Sequence, residues 1–368
     1  MVTHGTTISR DQVHAAVEAA NLAPSIHNSQ PWRWRFRDDA LELSADLGRA
    51  LPVADPDHRQ LLVSCGAALL NGWLALRAAG LDVEVAELPD GPDIATGRLA
   101  ALRIVGLRPP TDEETRLAAA VGHRHTDRRP FEPAELPADA VRELRHAAEA
   151  EGCWLASLTS EQARVELAVL LARADWVEQH DPAYQTELAA WTRADPDATD
   201  GVPLTAAPGS GEPRRSEFAL RSFAPAGETG AATGGAAGAV AGAGAGEAAG
   251  GSGGAEPGPA PAEPPVEHPG VLVLGTDADG PADRLRAGRG LGRVLLTATA
   301  AGLATSPLGQ AIDMEATRAL VRSATGGTGH TQMILRVGYP DHSAPPLTPT
   351  GRRPVAEVLE EFGTPPAS

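Results

Sequence analysis

DPDHRQLLVSCGAALLNGWLALRAAGL at residues 55–81 and DADGPADRLRAGRGLGRVLLTATAAGL at 277–303 are the stretches on which the fold turns. Set 222 residues apart, they share nine of 27 positions: Asp55 with Asp277, Asp57 with Asp279, Gly66 with Gly288, Leu69 with Leu291, Leu74 with Leu296, and Ala78-Ala79-Gly80-Leu81 with Ala300-Ala301-Gly302-Leu303. Two Ala/Leu-rich helices can share letters by chance. The aspartates ahead of the helix and the AAGL stop behind it favour a duplicated unit. A repeated helix with glycine on its face can pack against its own copy, so the expected architecture is two similar halves, a dimer fused into one chain.

Working outward, helix and strand signals alternate, and the class is α+β. Ser9 stands as an N-cap ahead of Val13, Ala16, Val17 and Ala20 on one face, and Pro24 bounds that helix. Trp32, Trp34 and Phe36 alternate with Arg33, Arg35 and Arg37, and Asp38-Asp39 turns the chain into Leu41-Glu42-Leu43, a hairpin with one buried face. Asp57 is expected to cap the first repeated helix, which Gly80 ends, with strands near 81–88 and 98–107. Helices follow over 136–150, 160–180 and 183–194, then a strand at 271–274, helices over 282–301 and 313–324, and a strand at 331–338. Residues 225–265 hold 13 Gly, 14 Ala and 6 Pro in 41 positions and offer almost no side chain to bury, so a disordered tether is expected there. The expected division is 1–118 as the first half, 119–224 as the first part of the second half with an insertion, 225–265 as tether, and 266–368 as the remainder of the second half.

Composition narrows the chemistry. Among the 368 residues there is no lysine, so all 31 basic residues are arginine and Schiff-base, P-loop-lysine and kinase-lysine chemistry are excluded. A net charge of −17 opposes nucleic acid and anionic lipid as partners. Cys65 and Cys153 form no CxxC pattern, which suits a reducing, cytoplasmic setting. Neither a signal peptide nor a membrane span is read.

Four segments carry candidate chemistry. In Ala23-Pro24-Ser25-Ile26-His27-Asn28-Ser29-Gln30-Pro31-Trp32 two prolines stiffen a loop that presents Ser25 and Asn28. The carboxamide matches the polar edge of a flat heterocycle, while a plain Asx-capped turn explains the same letters. In His123-Arg124-His125-Thr126-Asp127-Arg128-Arg129-Pro130-Phe131 three arginines crowd together, and Arg124 and Arg128 can fork onto a phosphate with Thr126 between them. Pairing with surface Asp and Glu is the competing explanation. Gly302-Leu303-Ala304-Thr305-Ser306-Pro307-Leu308-Gly309-Gln310 follows the second repeated helix, whereas the first continues as the plain strand Asp82-Val83-Glu84-Val85, so a ligand loop or an ordinary linker stands in one half only. Thr350-Gly351-Arg352-Arg353-Pro354-Val355 could close over the same anion or form a surface turn. Gly288-Arg289-Gly290-Leu291-Gly292 lacks the third spaced glycine of a dinucleotide fingerprint and lies inside a helix, so it is set aside. No HExxH or acidic partner at ligand spacing supports a metal, and no GxSxG is present.

At these motifs the chain resembles the nitroreductase-like FMN proteins, most closely their internally duplicated Acg-type branch, over nearly its whole length apart from the tether. The matching segments are APS-x-x-N-x-QPW from Ala23, R-x-T-x-R-x-x-F from Arg124, DGVP at 200–203, GLATSPL from Gly302 and RRPV from Arg352. The resemblance implies a nitroreductase-like fold and one FMN between the two halves of a monomeric pseudo-dimer. Arg124, Thr126, Arg128, Arg352 and Arg353 would hold the phosphate and ribityl chain. Ser306, Leu308 and Gly309 would border the ring from one half, and Pro24, Ser25, Ile26 and Asn28 would reach it from the other. NAD(P)H would be the reductant and an unnamed small molecule the acceptor. Family members commonly set a lysine beside the flavin pyrimidine, so here an arginine or a backbone N–H must stand in. The insertion at 195–223 is similar to a lid in the Acg-type branch, which leaves a flavin-storing protein with little turnover as the alternative implied.

Overall fold

The computed structural model describes residues 8–204, 216, 218, 267–313, 315–324 and 326–360. The stretch read as a tether, 225–265, lies outside the described residues.

Two long helices meet at the centre. The chain opens with α1 (Arg10–Asn21), β1 (Trp32–Arg37), β2 (Ala40–Ala45), α2 (Arg59–Ala78), β3 (Leu81–Glu87), β4 (Ala100–Leu107) and α3 (Asp112–Ala120). It continues through α4 (Ala138–Glu149), β5 (Trp154–Ser157), α5 (Glu161–His180), α6 (Pro182–Ala190), β6 (Thr192–Arg193) and β7 (Val202–Pro203). From residue 267 onward it runs β8 (Gly270–Thr276), α7 (Pro281–Ala300), β9 (Ala304–Pro307), α8 (Gln310–Asp313), α9 (Glu315–Ala324), β10 (His330–Gly338), α10 (Val355–Val358) and β11 (Leu359–Glu360). The repeated helices α2 and α7 pack against each other, and they cross at the glycines that the repeat aligns. A Cβ on Gly66 would lie 2.0 Å from the Leu285 carbonyl, and one on Gly288 would lie 2.1 Å from that of Val63. Only glycine permits that approach.

A sheet backs each helix. The first has strand order β11-β1-β2-β4-β3 and the second β5-β8-β10-β9. With β11 set aside, each is an antiparallel four-stranded sheet in which the strand before the central helix, the strand after it and the return strand occupy matching places. One apolar core fills the space between the first sheet, α1 and α2, and a second fills that between the second sheet, α4, α5 and α7. The exchange between them is reciprocal: Val63 of α2 belongs to the second core and Leu285 of α7 to the first. These two residues are also 222 positions apart. β11 pairs parallel with β1, so the chain end returns from the second sheet to the first.

Local chemistry sets these elements. Ser9 and Gln12 form a capping box on α1. In the β1–β2 hairpin Trp32, Trp34 and Phe36 are buried and their arginine neighbours exposed. Asp38 and Asp39 both take left-handed φ, 51° and 56°, as the tight turn of a right-twisted hairpin requires. The helix-like segment α2 is long and apolar enough to span a membrane, yet most of it is buried in the interior. The glycines of the rejected dinucleotide motif lie within α7 and serve close packing, with Gly290 against Cys153.

Two expectations are corrected. Asp57 does not cap α2: the Asp55 carboxylate accepts from the Gln60 and Leu61 amides at 2.9 and 2.8 Å, because His58 at φ 54° turns the chain back before the helix begins. The helix expected over 183–194 stops at Ala190, since Thr192 and Arg193 leave it to pair with Val202 and Pro203. The helix expected over 313–324 is α9, preceded by the single turn α8.

Candidate functional site

The Pro24–Pro31 loop is held on α2. Ser64, a polar residue on an otherwise apolar stretch of that helix, accepts from the Ile26 amide at 3.1 Å and donates to the Gln60 carbonyl at 2.6 Å. Ser25 Oγ accepts from the Gln30 amide at 3.0 Å and closes the loop on itself. Between them His27, Asn28 and Gln30 have φ of 47°, 52° and 49°. Each such non-glycine residue costs about 1–3 kcal/mol and persists only where its surroundings over-determine it. The surroundings here are long-range. Asn28 Nδ2 donates to the carbonyls of Gly201 and Gly351 at 3.0 and 3.1 Å, and Gln30 Nε2 donates to that of Thr199 at 2.8 Å. Gln30 Oε1 in turn accepts from the Arg353 amide at 2.8 Å.

The arginine segment arrives on the other side. Arg124 is buried and donates to the carbonyl of Leu22, at the end of α1, at 3.4 Å. Thr126 forms a parallel bridge with Thr305, and the Asp127 amide donates to the Thr305 carbonyl at 2.9 Å, which lays this segment beside β9 and buried Ser306. Leu308 follows, its amide on the Ile334 carbonyl at 2.8 Å, and Gly309 opens α8. Gln60 Nε2 reaches Asp313 Oδ1 at 3.1 Å and joins α8 to the helix that holds the first loop. The C-terminal pair completes the group: Arg352 lies close enough to Arg124 for their charges to repel.

All four segments singled out in the sequence therefore meet between the two sheets. Their residues do not all face alike. Arg129 spends its guanidinium on Asp127 and the Pro345 carbonyl. Arg353 is turned to the Gln30 carbonyl, Asp46 and Glu357. Arg128, Thr126, Pro24, Ser25 and Ile26 are half-buried at the margin. Gln30 and Ser64 hold the loop and were absent from the sequence-derived set; a hydroxyl inside an apolar helical run was the signal for Ser64.

Electrostatics single out one pair. Among the described residues neither Arg124 nor Arg352 has a carboxylate partner, and the Nε atoms of both are buried without a hydrogen bond. Burial, reinforced by Arg352, pulls the Arg124 guanidinium down to about 9, and burial pulls that of Arg352 down to about 10. Arginine holds its proton in proteins, so such a pair calls for an anion. A doubly charged phosphate fits it chemically, with the hydroxyl of Thr126, two residues after Arg124, as a candidate further donor.

A strap from 191–203 lies over the first loop. Asp200 binds both Arg49 and Arg193, and those two guanidiniums flank the Trp191 ring at 5.1 and 5.7 Å. Gly351 packs directly on Ala198, where a Cβ would stand 2.0 Å from the carbonyl oxygen. A separate groove of about 520 Å³ lies on the outer face of the first sheet, where Arg33, Arg35, Arg37 and Arg98 are each paired with a carboxylate. Arg33 on its rim shares Asp46 with Arg353 of the fourth segment.

No protein-family model matches the sequence. A Mycobacterium tuberculosis H37Rv protein named as an NAD(P)H nitroreductase, Rv3131, is 33% identical over 368 residues, covering 95% of this chain and 91% of the relative. The NAD(P)H nitroreductase Acg of the same strain, so named, is 31% identical over 356 residues, covering 96% and 97%. A crystal structure titled as a nitroreductase from Anabaena variabilis superposes with a TM-score of 0.42 at 10% identity, over 82% of this chain and 69% of that one.

Proposed function

Because the chain belongs to the NAD(P)H nitroreductase family, we propose that it is an FMN-dependent oxidoreductase that binds one FMN between its two halves and acts as a monomeric pseudo-dimer in the cytoplasm. The observation that carries this reading is the buried pair Arg124 and Arg352 at the junction of the four segments, with no carboxylate partner among the described residues. When bound, FMN would supply two-electron transfer from NAD(P)H to a small-molecule acceptor.

The chain's own part is binding and positioning. Arg124 and Arg352 would grip the phosphate with Thr126, and Arg128 would hold the adjoining polyol. Arg353 would act at one remove by fixing Gln30 and so the loop that carries Asn28. Ser306, Leu308 and Gly309 would border the ring from the second half, and Pro24, Ser25, Ile26 and Asn28 from the first. Internal duplication is supported by the equal strand orders, the Gly66–Gly288 crossing and the reciprocal Val63 and Leu285. On this reading 1–118 forms one half, while 119–224 and 266–368 form the other, with the end of the chain returning to the first sheet. The ligand loop follows the second repeated helix, whereas the plain strand Asp82-Val83-Glu84-Val85 follows the first, and this asymmetry supports one seat for the coenzyme.

A second reading is favoured by the strap. Asp200, locked between Arg49 and Arg193, and the amide contacts of Asn28 and Gln30 would hold a cover over the ring and give a flavin-storing protein with little turnover. Purified protein should carry FMN or bind it when added; failure to do either refutes both readings. Rapid mixing of the loaded protein with NADH or NADPH separates them: prompt bleaching at the flavin absorbance supports the enzyme, and bleaching by dithionite alone supports storage.

A further inference from the structure

Outside the residues already given a role, Gln310 is a side-chain amide in the site with an unmet need. Gln310 begins α8, one position after the Ser306–Gly309 segment, and is 2% exposed. Its Nε2 is buried and has no hydrogen-bond partner among the described residues. Burying a donor without a partner is unfavourable, and native chains retain such a group where something outside the chain completes it. The position agrees. α8 is joined through Asp313 and Gln60 to Ser64, which holds the Asn28 loop, so Gln310 stands on the element that links the two sides of the seat. Arg124 Nε and Arg352 Nε, in the segments that meet there, are likewise buried without a partner among the described residues.

We infer that Gln310 is a further coenzyme-binding residue, whose side-chain amide donates a hydrogen bond to a neutral acceptor on the edge of the flat ring system. This rests on the FMN reading above. The division of labour is chemical. The two guanidiniums suit a dianionic tail, whereas a neutral amide suits a ring carbonyl or ring nitrogen, and it can meet that edge in a chain without lysine.

Gln310→Met keeps the length of the side chain and removes the donor. The ligand-free variant should unfold at the same temperature as wild type or higher, since an unmet donor has been deleted. Its affinity for FMN should fall about 10-fold, the worth of one hydrogen bond to a neutral acceptor. Riboflavin, which lacks the phosphate, should lose the same factor, whereas Arg124→Met should weaken FMN far more than riboflavin. The bound-flavin absorption maxima should also shift. Gln310→Leu, neutral and without a donor, repeats the test should the methionine variant fold poorly. A ligand-free variant that is clearly less stable, with unchanged affinity for both flavins, would make Gln310 a packing residue and overturn the inference alone. Wild-type protein that binds neither flavin would overturn the FMN reading together with it.

Discussion

Arg124 offers the sharpest perturbation, because its charge should harm the ligand-free chain and serve the loaded one. Burial, with Arg352 adding to it, pulls the guanidinium from 12.5 to about 9. At about 1.4 kcal/mol per pH unit, holding that charge without an anion costs on the order of 5 kcal/mol. Arg124→Met retains most of the side-chain bulk and gives up the 3.4 Å contact with the Leu22 carbonyl. After allowing about 1–3 kcal/mol for that contact and for imperfect packing, the ligand-free variant should still be the more stable protein, by about 2–4 kcal/mol. Urea unfolding in a chloride buffer free of phosphate and sulfate measures this from the midpoint at constant slope. FMN at 100 times its dissociation constant should stabilise wild type by about 2.7 kcal/mol. At the same concentration the variant should gain little, since losing a charge-assisted contact weakens binding about 10- to 150-fold. A variant less stable than wild type without ligand, yet equally stabilised by FMN, would refute the assignment of Arg124 to an anion.

Three further outcomes follow from the packing. Asp55 is raised to about 6, chiefly by burial and further by Asp313, against the opposing amides of Gln60 and Leu61. The folded chain thus binds this proton more tightly than the unfolded one, and the associated stability, on the order of 3 kcal/mol, is present below about pH 4 and lost as pH rises through 6. Asp55→Asn should flatten that part of the stability–pH curve; an unchanged curve would contradict the assignment. Gly288→Ala sets a methyl 2.1 Å from the Val63 carbonyl and should cost about 1–3 kcal/mol or more in urea unfolding as α2 and α7 separate; a neutral substitution would show the crossing to be looser. Glu267→Gln removes the counter-charge of fully buried Arg336 and should cost about 3–5 kcal/mol by thermal unfolding; a change under 1 kcal/mol would show the pair to be dispensable.

What the sequence disclosed was local or repeated. The α2 and α7 helices, their glycine crossing and the Trp32–Leu43 hairpin were legible because periodicity, stop signals and self-similarity are written along the chain. Helix α3 was missed although Thr111 and Glu114 spell a capping box, which the structure forms and then uses to grip Arg77 through Glu114. The two-residue strands β6, β7 and β11 have no pattern of their own; partners far away in the chain create them. The candidate site divides in the same way. Its four segments stood out as polar interruptions between apolar elements, but their roles depend on contacts made across hundreds of positions. Adjacent Arg352 and Arg353 read alike as letters. The fold sends one toward Arg124 and ties the other to Gln30 and Asp46. Gln30 itself is visible only as a node of backbone contacts that spacing cannot reveal.

The most direct test of the whole is the flavin count per chain. Calorimetric titration of the ligand-free protein with FMN, checked by absorbance of the gel-filtered complex, should give one equivalent per polypeptide, eluting as a monomer. Two equivalents, one shared between two chains, or none would contradict a single seat formed by unlike halves of the same molecule.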